Sequence, residues 1–469
     1  MVDQYSSLYD SFRWLVPTHF NIGQECCHRW ANSSVDARRI ALFYETQSGA
    51  REIWTYERLA NTANQLANGL TRMGIKPGDR VALITAQRPE ALVAHIACYS
   101  VGAVIVPFTP NTTTSVLEQR LRDAEARIAI FDDSASSLML SKLSRYPTLK
   151  QLIGIDVQDD RVLHWRHLLL RQPSTFKAVV TRSSDPAILL YETVDVQSGS
   201  KTVAAQHYNK TVVTTSLTPG IVLSHGSLIG SLPAFVASQN WFPHGGDVLW
   251  SPLEWFRSEG LLQALLPTLY FGQSFVATHE GCSAAKKFDI LQRYRVSSAC
   301  LSSETLHSLE HLTPVFEPLS SLALRSLAVS GNALAQDTID WCEQTLKVIP
   351  NQTFGSSEMG QVLGNSHLKW PVRAGSLGKP YPGHCLAVLD EAGQPVGADT
   401  AGELALNRLD QHGHPDPALF HGFWRQSAIQ DEAFLGDWYR SGIFVRRDED
   451  GYYWLAQRPD NCDPSKLSA

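Results

Sequence analysis

The chain has 469 residues, of which 43% are hydrophobic, and a formal net charge of −6. This length exceeds that of one ordinary compact domain, so we expect two or three subdomains around a large apolar core. The acidic balance and the lack of a lysine- or arginine-rich run argue against nucleic acid as a partner. Eight cysteines without a CxxC pair are typical of reduced thiols, and we expect a cytoplasmic protein.

The longest apolar run lies between residues 91 and 108 and is interrupted by His95, Gly102 and Pro107. A membrane-spanning helix needs about 20 mostly apolar residues, and these interruptions do not fit one. We therefore predict a helix, a turn and a buried strand here, and no membrane span. The polar first residues lack the charged-then-apolar pattern of a secretory signal.

Strands and helices alternate in the first part of the chain. Short apolar runs at 40–44, 80–84, 102–107 and 127–131 predict strands, and apolar residues recur at helical spacing over 54–70. Such alternation favours a parallel sheet whose faces are covered by helices.

The spacing of these signals divides the chain into three predicted subdomains and a tail. Residues 1–185 form one αβ subdomain, and residues 186–371 form a second with further strand patterns. Glycines then separate short alternating segments over residues 372–460, which predicts a small β-rich subdomain, followed by a tail over 461–469. The expected fold class is α/β, with two mainly parallel sheets packed together beside the β-rich subdomain.

Six segments, in the same order along the chain, resemble the core motifs of AMP-forming acyl-CoA synthetases and related adenylate-forming ligases. The resemblance implies the fold just described, without the small C-terminal domain of that family. It also implies a reaction in which a carboxylate and ATP form an acyl adenylate, which the thiol of coenzyme A then attacks. The six segments are residues 53–59, 100–108, 221–228, 351–359, 373–384 and 438–458.

The phosphate loop of the family departs from its usual form, S-G-T-T-G-x-P-K-G, in this chain. Thr214, Thr215 and Gly220 match it, and the resemblance gives the two threonines catalytic roles and Gly220 a place in the nucleotide site. Pro219 stands where the family has lysine, and proline supplies neither a charge nor a backbone N–H. The resemblance therefore predicts a degenerate phosphate loop.

About twenty residues, 192–211, are inserted between the strand that enters the loop and the loop itself. One interpretation is a displaced phosphate loop that uses Lys201. The other is an exposed insertion that disrupts the site, which is favoured because the insertion contains no glycine-rich phosphate cradle.

The resemblance assigns Glu358 to catalysis and to Mg²⁺ on the triphosphate, a role that suits a carboxylate. A carboxylate near backbone N–H groups at a helix start is the structural alternative. Further nucleotide contacts are implied by matching positions in the adenine and phosphate motifs. They are Gly331, Phe354, Gly355, Ser356 and Ser357.

The ribose position differs from the family pattern. Ile443 stands where the family has the aspartate that binds the ribose hydroxyls, whereas Arg458 matches an arginine that contacts ribose. Few residues follow Asp460, so the lysine of the family's C-terminal domain has no counterpart. Trp255 and Phe256 match the wall of the acyl pocket, although a plain core role is common for such rings.

These features predict an acyl-CoA synthetase-like protein, acting on a small carboxylic or fatty acid, in which catalysis is impaired or lost. ATP, Mg²⁺ and coenzyme A are the implied cofactors. One alternative is an active adenylation domain whose small C-terminal domain comes from a partner chain. Another is a non-catalytic acyl- or nucleotide-binding or regulatory subunit, and a third is a truncated product without a role.

Overall fold

The computed structural model describes residues 3–46, 48–141, 143–191, 218–278, 282–311 and 322–458. Within these residues the fold is α/β, as predicted, with two mainly parallel sheets and one antiparallel sheet.

The strands are short, as is usual for sheets of globular proteins. In chain order they are β1 Ile40–Glu45, β2 Arg51–Thr55, β3 Arg80–Ile84, β4 Val104–Phe108, β5 Ile128–Asp132, β6 Gln151–Ile155, β7 Leu163–His164, β8 Pro186–Leu190, β9 Ile221–Ser224, β10 Val248–Trp250, β11 Ser274–Thr278, β12 Ser298–Ser302, β13 Ser326–Ser330, β14 Asn351–Ser356, β15 Gly360–Gly364, β16 Lys379–Pro380, β17 Leu386–Leu389, β18 Gly402–Asn407, β19 Gly422–Phe423, β20 Phe434–Leu435, β21 Trp438–Arg447 and β22 Tyr453–Leu455.

Helices separate most of the parallel strands. The α-helices are α1 Tyr5–Ser11, α2 Arg29–Ala31, α3 Tyr56–Arg72, α4 Pro89–Ser100, α5 Thr114–Ala124, α6 Ser136–Leu140, α7 Trp165–Leu170, α8 Ser227–Ser238, α9 Ser258–Gly260, α10 Leu266–Tyr270, α11 Ala284–Arg293, α12 Ser303–Glu310, α13 Gln336–Trp341 and α14 Ser427–Ala433.

The apolar run near residue 100 forms the predicted helix, turn and strand. Pro89 begins α4 at a position where its missing N–H costs no hydrogen bond. Nearly all of α4 is buried, and Gly102 adopts a positive φ of 72° in the turn before β4. Among the described residues, every helix is too short or too polar to span a bilayer.

The first sheet has the strand order β19-β9-β8-β4-β3-β5-β6-β7, and the second has β16-β15-β14-β13-β12-β10-β11-β1-β2. In the third sheet β17, β18, β21 and β20 pair antiparallel, and β22 pairs with β21.

Strand pairing crosses the boundaries predicted from the sequence. β1 and β2 belong to the second sheet although they precede residue 185, and β8 and β9 extend the first sheet after it. The short strand β19 pairs with β9, so the third part of the chain also contributes to the first sheet. The division at 185 and 371 stays a prediction.

The N-terminal residues connect to the loop between β16 and β17. The Tyr5 hydroxyl donates to the carbonyl of Pro380 at 2.9 Å, and the Tyr9 hydroxyl donates to that of His384 at 2.7 Å. The Trp14 indole donates to the carbonyl of Gly383 at 3.0 Å. These bonds hold the edge of the third sheet against the body of the protein.

Candidate functional site

Glu358 lies in a tight turn between the antiparallel strands β14 and β15. The turn, residues 357–359, is called the Glu358 turn below. A side chain at Gly355 would overlap the carbonyl of Gly360, and Gly360 itself adopts a positive φ of 67°. Gly355 is therefore required by the close approach of the two strands, and Gly360 by its left-handed backbone conformation. Glu358 is only 2% exposed.

The Glu358 turn is connected to the exit of the phosphate loop by one stretch of chain. We call residues 416–424 the bridging segment. The amide of Phe420 donates to the carbonyl of Glu358 at 2.6 Å, and the amide of Trp424 donates to the carbonyl of Gly220 at 2.7 Å. The structure thus brings Glu358 and Gly220 to the same stretch of backbone. Thr214, Thr215 and Lys201 lie outside the described residues.

Two buried serines join the Glu358 turn to the segment that carries Trp255. The hydroxyl oxygens of Ser258 and Ser357 are 2.6 Å apart, and both side chains are less than 5% exposed. The hydroxyl of the neighbouring Ser356 is buried without a hydrogen-bond partner among the described residues. Sequence reasoning missed Ser258, because its partner is 99 residues away and no local pattern marks it.

The predicted adenine side lies on two neighbouring strands. Gly331 follows β13 with a φ of 108°, and Phe354 is half-buried in β14, which pairs in parallel with β13. The side-chain amide of Gln352 donates to the Gly331 carbonyl at 3.3 Å. A half-buried ring next to a glycine turn is compatible with a flat aromatic ligand, although a side chain at Gly331 would lie 2.8 Å from the Ser303 hydroxyl.

The ribose side does not fit a ribose. Ile443 is 7% exposed in the main apolar core, and its amide donates to the hydroxyl of Ser441 at 3.2 Å. The neighbouring carboxylate of Glu403 accepts hydrogen bonds from Arg440 and from the amide of Gly442, each at 2.8 Å. It is therefore engaged within its own sheet.

Arg458 lies near the strand that carries Ile443 but over its other face. Its guanidinium carbon is 5.5 Å from the ring centre of Phe444. Burial alternates along β21, so Ile443 and Phe444 point to opposite faces. The cation of Arg458 therefore lies across the sheet from the side chain of Ile443.

Two small adjoining clefts lie in this region, with cavity volumes of about 20 and 10 Å³. Phe108 and Phe256 line both of them, and Trp255 and His95 line the smaller one. The indole Nε1 of Trp255 and the Nε2 of His95 are buried without a partner among the described residues. The structure thus places both predicted acyl-pocket residues, Trp255 and Phe256, on a cleft.

Burial lowers the pKa of His95 to about 3, so the imidazole is neutral at neutral pH. Its Nδ1 lies 3.1 Å from the hydroxyl of Tyr99, one helical turn further along α4. Sequence reasoning treated His95 only as an interruption of an apolar run. The i, i+4 pairing with a tyrosine was the local signal available.

A metal site built by the protein alone is not found in the described part of the chain. No group of three or more His, Cys, Asp or Glu side chains lies together there in a suitable arrangement. A magnesium ion at Glu358 would need further oxygen ligands, such as those of a nucleotide triphosphate. Glu358 offers a carboxylate of the kind that magnesium accepts, whereas the side chain of Ile443 offers no polar atom to a ribose.

A family model described as AMP-binding enzyme matches residues 28–408. The chain is 24% identical to the uncharacterized acyl-CoA ligase YtcI of Bacillus subtilis, over 95% of this chain and 78% of that protein. It is 27% identical to the benzoate–CoA ligase of Thauera aromatica, over 87% and 72% of the two chains. The crystal structure of Brucella canis acyl-CoA synthetase superimposes with a TM-score of 0.83 at 22% identity, over 98% and 80%.

Proposed function

Because the chain belongs to the AMP-binding enzyme family, within the adenylate-forming superfamily, we propose that it binds a carboxylic acid or its acyl derivative and that adenylation is impaired or lost. The observation that carries the proposal is the apolar burial of Ile443 at the ribose position. The proposal implies a low wild-type affinity for MgATP and a retained site for the acyl group.

The energetic argument concerns the missing carboxylate. A hydrogen bond to a charged group contributes about 1.5–3 kcal/mol. Losing such a contact to the ribose hydroxyls weakens nucleotide binding roughly tenfold to hundredfold. The neighbouring Glu403 does not replace it, because its oxygens accept hydrogen bonds from Arg440 and from the Gly442 amide.

The residues around the small clefts support the acyl-binding part of the proposal. The smaller cleft is walled by aromatic rings and offers two buried nitrogen atoms, on His95 and Trp255, that have no partner among the described residues. An apolar cavity with a few convergent polar groups is the usual form of a small-molecule site. A small carboxylic or fatty acid, or its coenzyme A thioester, has this combination of an apolar chain and a polar end.

The main alternative is an active adenylation domain that works with a small domain from a partner chain. The contact of the bridging segment with both Glu358 and Gly220 favours it, since the two family positions remain spatially linked. ATP, Mg²⁺ at Glu358 and coenzyme A are the cofactors of this alternative. For either function we propose a cytoplasmic location, because the cysteines of the described residues are free thiols.

Two measurements on the wild-type chain separate these functions. The first is carboxylate-dependent ATP–pyrophosphate exchange with Mg²⁺ over short, medium and aromatic acids. The second is the thermal shift produced by MgATP, by each acid and by each acyl-CoA. We expect no exchange above background, no shift with MgATP and a shift with one class of acid or acyl-CoA. Acid-dependent exchange would overturn the proposal and establish the active alternative.

A further inference from the structure

We propose that His384 and Asp416 form a positioning pair that sets the placement of the Glu358 turn relative to Gly220. The inference goes beyond the proposed function, because it concerns how the site is held together whether or not a nucleotide is turned over. The Nδ1 atom of His384 lies 2.7 Å from a carboxylate oxygen of Asp416, and both side chains are fully buried.

Asp416 begins the bridging segment and organises its first turn. The carboxylate oxygen that does not face His384 accepts the amide of Ala418 at 2.9 Å. The carboxylate is thus held from two directions, by the imidazole and by the backbone two residues later. An ionised carboxylate accepts hydrogen bonds only, so His384 presents its Nδ1–H to it.

Backbone hydrogen bonds connect the bridging segment to the Glu358 turn at one end and to Gly220 at the other. From Phe420 to Trp424, three amides of the segment bind carbonyls of other elements. The first binds Glu358 at 2.6 Å, and the next, from His421, binds Val222 at 2.8 Å. The third binds Gly220 at 2.7 Å. A displacement of the start of the segment therefore moves the carbonyl partners at both ends.

Close packing leaves the start of the segment little room. A side chain at Gly230 of α8 would overlap the backbone of Ala418, and a side chain at Gly360 would lie 3.3 Å from the Ala418 methyl group. The segment thus packs against α8 on one side and against β15 on the other. Densely packed contacts of this kind transmit displacement instead of absorbing it.

His384 connects this arrangement to the edge of the third sheet. Its carbonyl accepts the hydroxyl of Tyr9 at 2.7 Å, and its ring centre is 5.6 Å from that of Trp14. Its Nε2 atom is buried without a partner among the described residues. The imidazole therefore has one polar connection within this part of the chain, the one to Asp416, and a side chain that supplies only that donor is able to replace it.

The experiment compares His384→Leu, which removes the donor, with His384→Asn, whose amide nitrogen stands near the Nδ1 position. Tyr452→Phe is the matched control, because it removes a buried hydrogen bond, from the Tyr452 hydroxyl to the Pro371 carbonyl at 2.6 Å, that does not touch the bridging segment. The readout is native-state hydrogen exchange of the Phe420 and Trp424 amides in the full chain.

We expect the protection of these two amides to fall at least tenfold in His384→Leu and to return within about threefold of wild type in His384→Asn. In Tyr452→Phe both amides should keep wild-type protection, which separates local loosening from general loss of stability. Unchanged protection in His384→Leu, or an equal fall in all three variants, would overturn the positioning role.

A second readout is the KM for MgATP in pyrophosphate exchange, in wild type and in a chain that carries Ile443→Asp. Where exchange is measurable, His384→Leu should raise this KM about tenfold and leave the KM for the acid within twofold, with recovery in His384→Asn. An equal rise in both KM values would contradict the pair's effect on the nucleotide side. Exchange by wild type overturns the proposed function but not the pair, which the hydrogen-exchange result decides on its own.

Discussion

The Glu358 turn and strand β21 carry the positions that the family resemblance assigns to magnesium and to ribose, and the structure holds them in opposite ways. Two motif positions, one in the turn and one just before it, have a packing reason for the residue that stands there. Gly355 is required by the carbonyl of Gly360, and Ser357 is bound to Ser258. On β21 the family carboxylate is replaced by Ile443, which adds an apolar side chain to the core.

This difference shows that nucleotide binding and folding constrain the two regions separately. The packing around Gly355 and Ser357 holds whatever the protein binds. Ile443 fills space in the apolar core. Motif residues near Glu358 are therefore weak support for catalysis, whereas under the proposed function a substitution at Ile443 tests the nucleotide site.

The largest expected effect concerns Gly355, at the entry to the Glu358 turn. In Gly355→Ala the new methyl group meets the carbonyl of Gly360, a backbone atom that has no side-chain freedom to move away. We expect a loss of about 3 kcal/mol in the free energy of unfolding. Gly397→Ala is the control, because nothing lies within 4 Å of its Cβ position, and it should change stability by less than about 0.5 kcal/mol. Urea unfolding of the two variants checks this, and equal midpoints would refute the packing argument.

A second prediction concerns the neutral imidazole of His95 beside the smaller cleft. Burial lowers the pKa of His95 to about 3, below its value of about 6.5 in the unfolded chain. The unfolded state therefore binds the proton more readily, and stability is lost as the pH falls from about 6.5 towards 3.

The variant His95→Phe has no such proton to bind. The stability of wild type relative to it should fall by about 1.4 kcal/mol per pH unit between pH 6 and 4. All other titrating groups are shared by the two proteins, so the difference isolates this imidazole. Parallel curves in urea unfolding at several pH values would mean that His95 is accessible to protons in the folded state.

The third prediction concerns strand β21, the other region of the comparison. Ile443→Asp restores the carboxylate that the family uses for ribose, and we expect MgATP to bind roughly tenfold to hundredfold more tightly than in wild type. Burying an ionisable group at a site that is 7% exposed lowers stability, so binding is measured by calorimetry well below the unfolding temperature.

Ile443→Asn is the matched control, because it has the same shape without the charge. Its affinity for MgATP should rise less than about threefold. If Asp and Asn behave alike, the missing charge at position 443 is not what weakens the nucleotide site, and the account of β21 given above fails.

The sequence was a good guide to local structure and to the order of the motifs. The interrupted apolar run predicted α4, a turn and β4, because hydrophobic periodicity and the positions of Gly102 and Pro107 are local signals. Regular alternation of strands and helices likewise predicted parallel sheets, since parallel strands need a crossover connection.

Contacts between distant parts of the chain could not be predicted from the sequence. Nothing local places β1 and β2 in the second sheet, because β1 pairs with β11, more than 200 residues later. The same holds for the Ser258–Ser357 contact and for the pair of His384 and Asp416, in which each partner is an ordinary polar residue by itself. Periodicity specifies which face of an element is buried, but not which other element covers it.

The smallest expected effect concerns the acyl cleft and tests the proposal that a ligand binds beside Trp255. The Trp255 indole N–H is buried and has no partner among the described residues, so Trp255→Phe sacrifices no hydrogen bond found there. We expect a stability loss below about 1.5 kcal/mol, from lost volume alone. The affinity for the best acid or acyl-CoA should fall about fivefold, since one neutral hydrogen bond contributes about 1 kcal/mol.

Trp250→Phe is the control that separates these two effects. Trp250 is also fully buried with an N–H that has no partner in the described residues, but it lies in the core of the second sheet and does not line the cleft. The two substitutions should therefore lower stability similarly, and only Trp255→Phe should weaken binding in a thermal-shift titration. Equal affinities in both variants would move the ligand away from Trp255 and would remove the support that this cleft gives to the proposed acyl binding.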